Sequence, residues 1–194
     1  MRPGVTLYFI RHGETDWNAV GRYQGQTDIP LNDKGRSQAA RNGKALGAIP
    51  GVIDMDFVAS PLGRTRETME IVRRELTLPL ADYRLDARLK EVHYGTWEGT
   101  LWTDLQSIDP EGLAARKRDP WNWRPVDGES YADVADRAGA WLAEVDRDTV
   151  VVSHGGVSRI LRRLILGLAP QEVPFLEVPQ DRILILRAGE HSWL

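Results

Sequence analysis

A chain of 194 residues, 42% of them hydrophobic, is long enough to bury one sizeable core as a single domain over 1–194, and it contains no linker, repeat or low-complexity stretch. A net charge of -3 gives no support for a nucleic-acid surface, and the lack of cysteine removes disulfides, thiolate nucleophiles and Cys-based zinc sites together. No run approaches the roughly 18 apolar residues of a membrane span, and Met1-Arg2-Pro3-Gly4 leads straight into a strand, unlike a signal peptide; the expectation is a cytoplasmic protein off the membrane, with a homodimer left open.

Val5, Leu7, Phe9 and Ile10 predict a short buried strand that breaks off at Arg11-His12-Gly13, with Gly13 allowing a sharp exit. Trp17 to Leu31 is rich in Gly, Gln, Asn and Asp without periodicity, and a loop of roughly fifteen residues is usually functional. Asn32 or Asp33 then caps a helix from about Lys34 to Ile49, with Ala39, Ala40, Gly43, Leu46 and Gly47 inward and Pro50-Gly51 as its stop. Asp54-Met55-Asp56 reads as a turn, because it precedes the strand Phe57-Val58-Ala59 and so lies at the wrong end of a sheet for ligand chemistry. Pro61 sets Arg64 in the first turn of a helix with Met69, Val72 and Leu76 inward, and a helix amino end bearing an arginine reads as an anion site.

After Pro79 a third strand is expected to run up to Glu91. Residues 93–127 hold four of the seven tryptophans, Trp97, Trp102, Trp121 and Trp123, and read as an insertion or lid over the sheet edge. Trp121 and Trp123 lie between Pro120 and Pro125 in an extended segment, where they either anchor the loop or line the mouth of a crevice. Ser130 and Asp133 have capping-box spacing ahead of a helix with Tyr131, Val134, Ala138, Trp141, Leu142 and Val145 on one face. Thr149 to Ser153 repeats the layout of the first strand, ending in His154-Gly155-Gly156 and a helix marked by Val157, Ile160, Leu161, Leu164, Ile165 and Leu168. Arg182 to Arg187 is an edge or antiparallel strand. Arg162-Arg163 and Arg116-Lys117-Arg118 read as solvated faces, the second also able to attract a further phosphate, and His191 reads as solvent-exposed. The alternation of strands and helices is that of a βαβ fold, which would bring both histidine-bearing strand ends to one crevice.

Two histidines and two arginines in one crevice are hard to explain as packing, because like charges repel there unless an anion sits among them. His12 beside Arg11 can act as a nucleophile toward phosphorus, with Arg64 and Arg11 neutralising the equatorial oxygens and neighbouring cations favouring the neutral imidazole. Glu91 is the best-placed carboxylate to protonate a leaving oxygen. A metal site from His12, His93, His154 and carboxylates is the weaker alternative: paired-ligand spacing is missing and guanidiniums repel a divalent cation. The Gly-x-Ser-x-Gly and Walker signatures are absent.

These residues resemble the histidine phosphatase superfamily on its phosphoglycerate-mutase-like branch. Arg11-His12-Gly13-Glu14-Thr15-Asp16-Trp17-Asn18 is similar to the family's opening signature, continued by Gly21-Arg22-Tyr23-Gln24-Gly25 and Asp28-Ile29-Pro30-Leu31. Ser60 to Thr68, Glu91 to Gly99, Gly128-Glu129-Ser130 and Ser153 to Gly156 are similar to the later blocks, in the family's order, with Thr65 where alanine is common. The resemblance implies a three-layer α/β/α sandwich with a mostly parallel central sheet and a small insertion over its C-terminal edge. It also implies a phosphohistidine on His12, a phosphate held by Arg11, Asn18, Arg64 and His154, Gln24, Gly25 and Gly155 in the substrate site, Glu91 as proton donor, and no metal or cofactor. Cofactor-dependent mutases carry a longer insertion before the second histidine, and Trp97-Glu98-Gly99 is similar to the phosphatases. The expectation is a phosphomonoesterase acting on a small phosphorylated metabolite, with mutase-type phosphoryl transfer or a metal-dependent phosphohydrolase as alternatives.

Overall fold

In β1 (Leu7–Arg11) Leu7 and Phe9 point to one face and Tyr8 and Ile10 to the other, and all four are buried, as a strand covered on both sides requires. The computed structural model describes residues 1–194. Beside β1 stand β2 (Asp56–Ala59), β3 (Arg84–Leu85), β4 (Thr149–Ser153), β5 (Ile183–Arg187) and β6 (Glu190–Trp193), in the order β3-β2-β4-β1-β5-β6. The pairs β3/β2, β2/β4 and β4/β1 are parallel, while β1/β5 and β5/β6 are antiparallel. Arg11 lies opposite Ser153, so His12 and His154 leave the sheet side by side at its carboxyl edge.

A short α1 (Asp16–Ala19) follows β1, and α2 (Asp33–Leu46) and α3 (Gly63–Glu75) cover the Tyr8 and Ile10 face, where Leu46, Met69 and Val72 pack against Phe57, Val150 and Val152. The segment 93–127 holds α4 (Leu105–Ile108) and α5 (Pro110–Arg118). On the opposite face α6 (Tyr131–Glu144) and α7 (Gly155–Leu166) bring Val134, Trp141, Ile160 and Leu161 onto Leu7 and Phe9. Each large apolar side chain buried in this way contributes roughly 1.5–3 kcal/mol. The result is the three-layer α/β/α arrangement, with a mostly parallel sheet. The capping box that opens α6 is formed by Ser130 and Asp133.

Several local expectations are corrected. Gly13 does not sit at positive φ; its role is close approach, since a Cβ there would collide with the carbonyl of Gly35 in the first turn of α2. The strand ahead of Glu91 is only two residues long, because Asp86, whose N–H makes the last bond to Ala59 O (3.0 Å), turns its carboxylate to Arg88 N (2.9 Å) and opens a 3₁₀ turn over Ala87–Leu89. Leu164 is 39% exposed, whereas Arg162, read as solvated, is buried, donating to Glu177 O (2.9 Å) and lying over Trp193. Arg163 stacks its guanidinium over Trp121, 4.7 Å from the ring centroid. β6 has no apolar alternation to announce it and forms because Gly189, at φ 77°, closes a tight turn after β5. His191 is exposed, as expected.

Candidate active site

At the carboxyl edge His12 is almost wholly buried, and its Nδ1–H donates to the carbonyl of Gly13 (2.8 Å). That bond settles the tautomer and leaves Nε2 as a bare lone pair. His154, also buried, has Nδ1 3.3 Å from Arg64 Nη2, and a guanidinium can only donate; the ring proton therefore sits on Nε2 and is given to Ser60 Oγ (2.8 Å). The two rings meet edge to face, 5.2 Å between centroids. Burial first, then Arg64, with Arg11 further down in each case, holds both imidazoles well below their usual range.

Arg64 is 1% exposed and held from three sides, by Thr27 O (2.9 Å), Gly25 O (2.6 Å) and the Gln24 amide oxygen, which lies 2.7 Å from Nε once the amide is oriented to satisfy Thr15 as well. Arg11 donates from Nη1 to Val178 O (2.7 Å), and its buried Nε has no partner. A buried unpaired donor of this kind costs about 1–3 kcal/mol, which an incoming oxyanion would recover. Burial pulls both guanidiniums down to about 10. Asn18 completes the capping box with Thr15 that opens α1, and its Oδ1 accepts from Thr15 N and Gln180 Nε2, leaving its Nδ2 as the group for a ligand. The amino end of α3, expected to bind an anion, is already filled: Gly63 N donates to Asp28 Oδ2 (2.6 Å). The cradle is thus built from side-chain cations rather than from that helix terminus.

Glu91 docks on the first turn of α7, accepting from Gly156 N (3.0 Å) and Val92 N (2.9 Å). A Cβ on Gly156 would collide with this carboxylate, so the glycine is what lets it approach. The segment carrying Glu91 is latched by Arg137, which donates to the carbonyls of Arg88 (2.7 Å), Lys90 (2.7 Å) and Glu91 (3.0 Å) and forms a two-pronged pair with Glu129. Arg11, His12, Asn18, Arg64 and Glu91 open into a cleft of about 280 Å³ that Tyr23, Tyr94, Trp102, Arg116 and Arg159 also line.

A model of the histidine phosphatase superfamily, branch 1, matches residues 7–194. The chain belongs to that family. It is 34% identical to glucosyl-3-phosphoglycerate phosphatase of Mycolicibacterium vanbaalenii over 88% of this chain and 78% of the relative. It is 36% identical to a probable phosphoglycerate mutase of Citrobacter koseri over 98% of this chain and 88% of the relative. Among solved structures, mycobacterial glucosyl-3-phosphoglycerate phosphatase in complex with VO3 superposes with a TM-score of 0.82 at 30% identity, covering 98% of this chain and 97% of that one. The α-ribazole phosphatase of Shigella flexneri superposes with a TM-score of 0.81 at 26% identity, covering 93% and 89%.

Within this histidine phosphatase, Arg11, His12, Asn18, Gln24, Gly25, Arg64, Glu91 and Gly155 all line the cleft, with His154 behind Arg64. Gln24 and Gly25 face Arg64, so they hold the arginine. Gly155 lies beside Arg11, and its tight neighbour is Val178, whose Cγ2 a Cβ there would approach to 3.2 Å. Trp121 and Trp123 do not line the cleft. Trp123 packs on Trp97 (4.4 Å) and Trp121 on Tyr131 (6.4 Å), so they anchor the insertion, and the indole at the mouth belongs to Trp102. Arg116 is drawn inward to the Tyr23 hydroxyl instead of facing solvent. Sequence reasoning missed Tyr94, Trp102 and Arg159 as cleft residues. Arg159 was accessible to it, since it lies four residues beyond Gly155 on α7 and therefore shares its helical face.

The depressed histidines have a measurable consequence. Unfolded histidines titrate near 6.5, so below that pH the unfolded chain binds protons that folded His12 and His154 refuse, and stability falls as pH falls. Denaturant titrations between about pH 5 and 7 are expected to lose up to about 1.4 kcal/mol per pH unit per histidine, and a His12→Asn/His154→Asn variant to lose most of that slope. A wild-type profile that is flat across this window contradicts the burial assigned to the two rings.

Proposed function

We propose that the chain is a metal-independent phosphomonoesterase that hydrolyses a small phosphorylated metabolite through a phosphohistidine on His12, and that it works in the cytoplasm. The observation that carries this reading is the commitment of His12 Nδ1 to Gly13 O, which presents the Nε2 lone pair to a cleft lined by Arg11 and Arg64. In the proposed reaction Nε2 attacks phosphorus in line as the bond to the leaving oxygen breaks. Arg11, Arg64 and Asn18 Nδ2 take the equatorial oxygens, and His154 supports them from behind by accepting from Arg64 Nη2 through Nδ1. Glu91 gives its proton to the leaving oxygen, then as carboxylate takes one from the water that attacks the phosphohistidine, releasing phosphate and restoring both groups. Gln24 and Gly25 act by placing Arg64, and Gly155 borders the substrate beside Arg11.

Relatives named for a phosphatase and for a mutase are similar to this chain to about the same degree, at 34% and 36% identity. Mutase-type phosphoryl transfer is the second reading, favoured by the guanidinium of Arg116 in the cleft. Phosphate release separates the two, since transfer to a hydroxyl acceptor leaves no free phosphate. Dialysis against EDTA is expected to leave hydrolysis of p-nitrophenyl phosphate unchanged within about twofold, because guanidiniums perform the charge neutralisation that a metal would otherwise supply. Activity abolished by chelation and restored by a divalent ion would sink the metal-independent reading.

A further inference from the structure

Arg64 is held by carbonyl oxygens, and a carbonyl can face an arginine only if its own peptide unit is turned that way. The other side of each peptide shows what turns it. Gly25 O and the N–H of Gln26 belong to one peptide: the oxygen accepts from Arg64 Nη2 (2.6 Å), and the N–H donates to Glu98 Oε1 (2.9 Å). The N–H and hydroxyl of Thr27 donate to Glu98 Oε2 (2.9 and 2.5 Å), while the Thr27 carbonyl accepts from Arg64 Nη1 (2.9 Å). The turn therefore lies between a carboxylate and a guanidinium. Each charge polarises the peptides toward the other, which strengthens both sets of hydrogen bonds. Thr27 N–H also reaches Gln24 O (3.1 Å) and closes the turn, but such closure is compatible with either facing of the central peptide and does not by itself aim Gly25 O at the arginine.

Glu98 is not among the residues that line the cleft, so it reaches a substrate only through what it holds. Its side chain is 11% exposed, and His93 Nε2, at 3.7 Å, stands beyond hydrogen-bond reach. The carboxylate is satisfied instead by backbone: beside the Gln26 and Thr27 groups it accepts from Tyr94 N (3.1 Å), in the segment that carries Glu91. Gly25, at φ 54°, is what lets it come so close, since a Cβ there would collide with the carboxylate. We propose that Glu98 is a positioning residue for phosphoryl binding: by drawing the N–H groups of Gln26 and Thr27 to one side, it turns the carbonyls of that turn onto Arg64 and keeps the guanidinium aimed into the cleft. This rests on the reading that Arg64 receives the phosphoryl oxygens.

Orthovanadate, a phosphoryl analogue, reads the cradle by calorimetry without turnover. Glu98→Gln keeps the shape of the side chain but sets an NH2 against one of the two N–H groups, and it is expected to bind vanadate about tenfold more weakly than wild type. Arg64→Met alone should weaken binding by about 10²-fold or more. Added to Arg64→Met, Glu98→Gln should cost less than about threefold further, because its effect passes through an arginine that is already gone. A purely structural role would weaken binding equally in both backgrounds, and that result, or a Glu98→Gln variant that binds as tightly as wild type, overturns the proposal. Turnover supplies a second readout. Glu98→Gln should lower kcat/KM for p-nitrophenyl phosphate and for alkyl phosphates by the same factor, since both present the same phosphoryl group; a loss confined to alkyl phosphates would place Glu98 behind Glu91 and equally overturn it. Phosphate release by the wild type judges the other reading: non-additive losses of vanadate binding without hydrolysis of any ester keep the role of Glu98 and remove the phosphatase, and hydrolysis with additive losses does the reverse.

Discussion

His12→Ala should lower turnover of p-nitrophenyl phosphate by roughly 10⁴-fold or more, the scale seen when an activated nucleophile is removed while the charge-stabilising groups remain. The reasoning starts from one hydrogen bond. With Nδ1–H held by Gly13 O, only Nε2 can attack, and burial with Arg64 and Arg11 nearby keeps the ring unprotonated at neutral pH, so the wild-type nucleophile needs no separate base. Rapid quench with labelled substrate should trap an acid-labile, base-stable phosphoenzyme in the wild type and none in the variant. A melting curve close to wild type would show that the loss is chemical and not a failure to fold. A variant that still forms the same phosphoenzyme would move the nucleophile away from His12.

Glu91→Gln should separate substrates by their leaving groups. The carboxamide oxygen can still accept from Gly156 N and Val92 N, so the side chain keeps its place on α7, but it has no proton of carboxylic acidity to deliver. For alkyl phosphates, whose alkoxide leaves poorly, kcat/KM is expected to fall by about 10²–10⁴-fold. For p-nitrophenyl phosphate, whose leaving group needs little help, kcat/KM should fall by less than about tenfold, while the phosphoenzyme accumulates because water is no longer activated. Equal losses of kcat/KM on both substrates would remove Glu91 from the role of general acid.

Much of this was accessible from the order of residues, because periodicity and capping act locally. The inward face of α6 and the Ser130/Asp133 capping box follow from spacing along a few turns, and the burial of Tyr131, Val134, Ala138, Trp141 and Leu142 agrees with it. The same holds for the two strands that end in histidine: apolar runs stopping at His12 and His154 needed only parallel pairing to bring the rings together, and β1 and β4 are direct neighbours. Tertiary structure alone decided which donors remain free for a ligand. No spacing rule shows that Asp28 fills the amino end of α3, that Arg64 is held by Gly25 O and Thr27 O, that Arg137 latches the backbone of Glu91, or that Arg116 turns from solvent to the Tyr23 hydroxyl while Arg118 on the same helix stays exposed. A long polar side chain is directed by whichever buried partner satisfies it, and those partners lie tens of residues away in the chain. The sequence therefore determined the chemistry available at the crevice, and folding determined which of its charges are left unsatisfied.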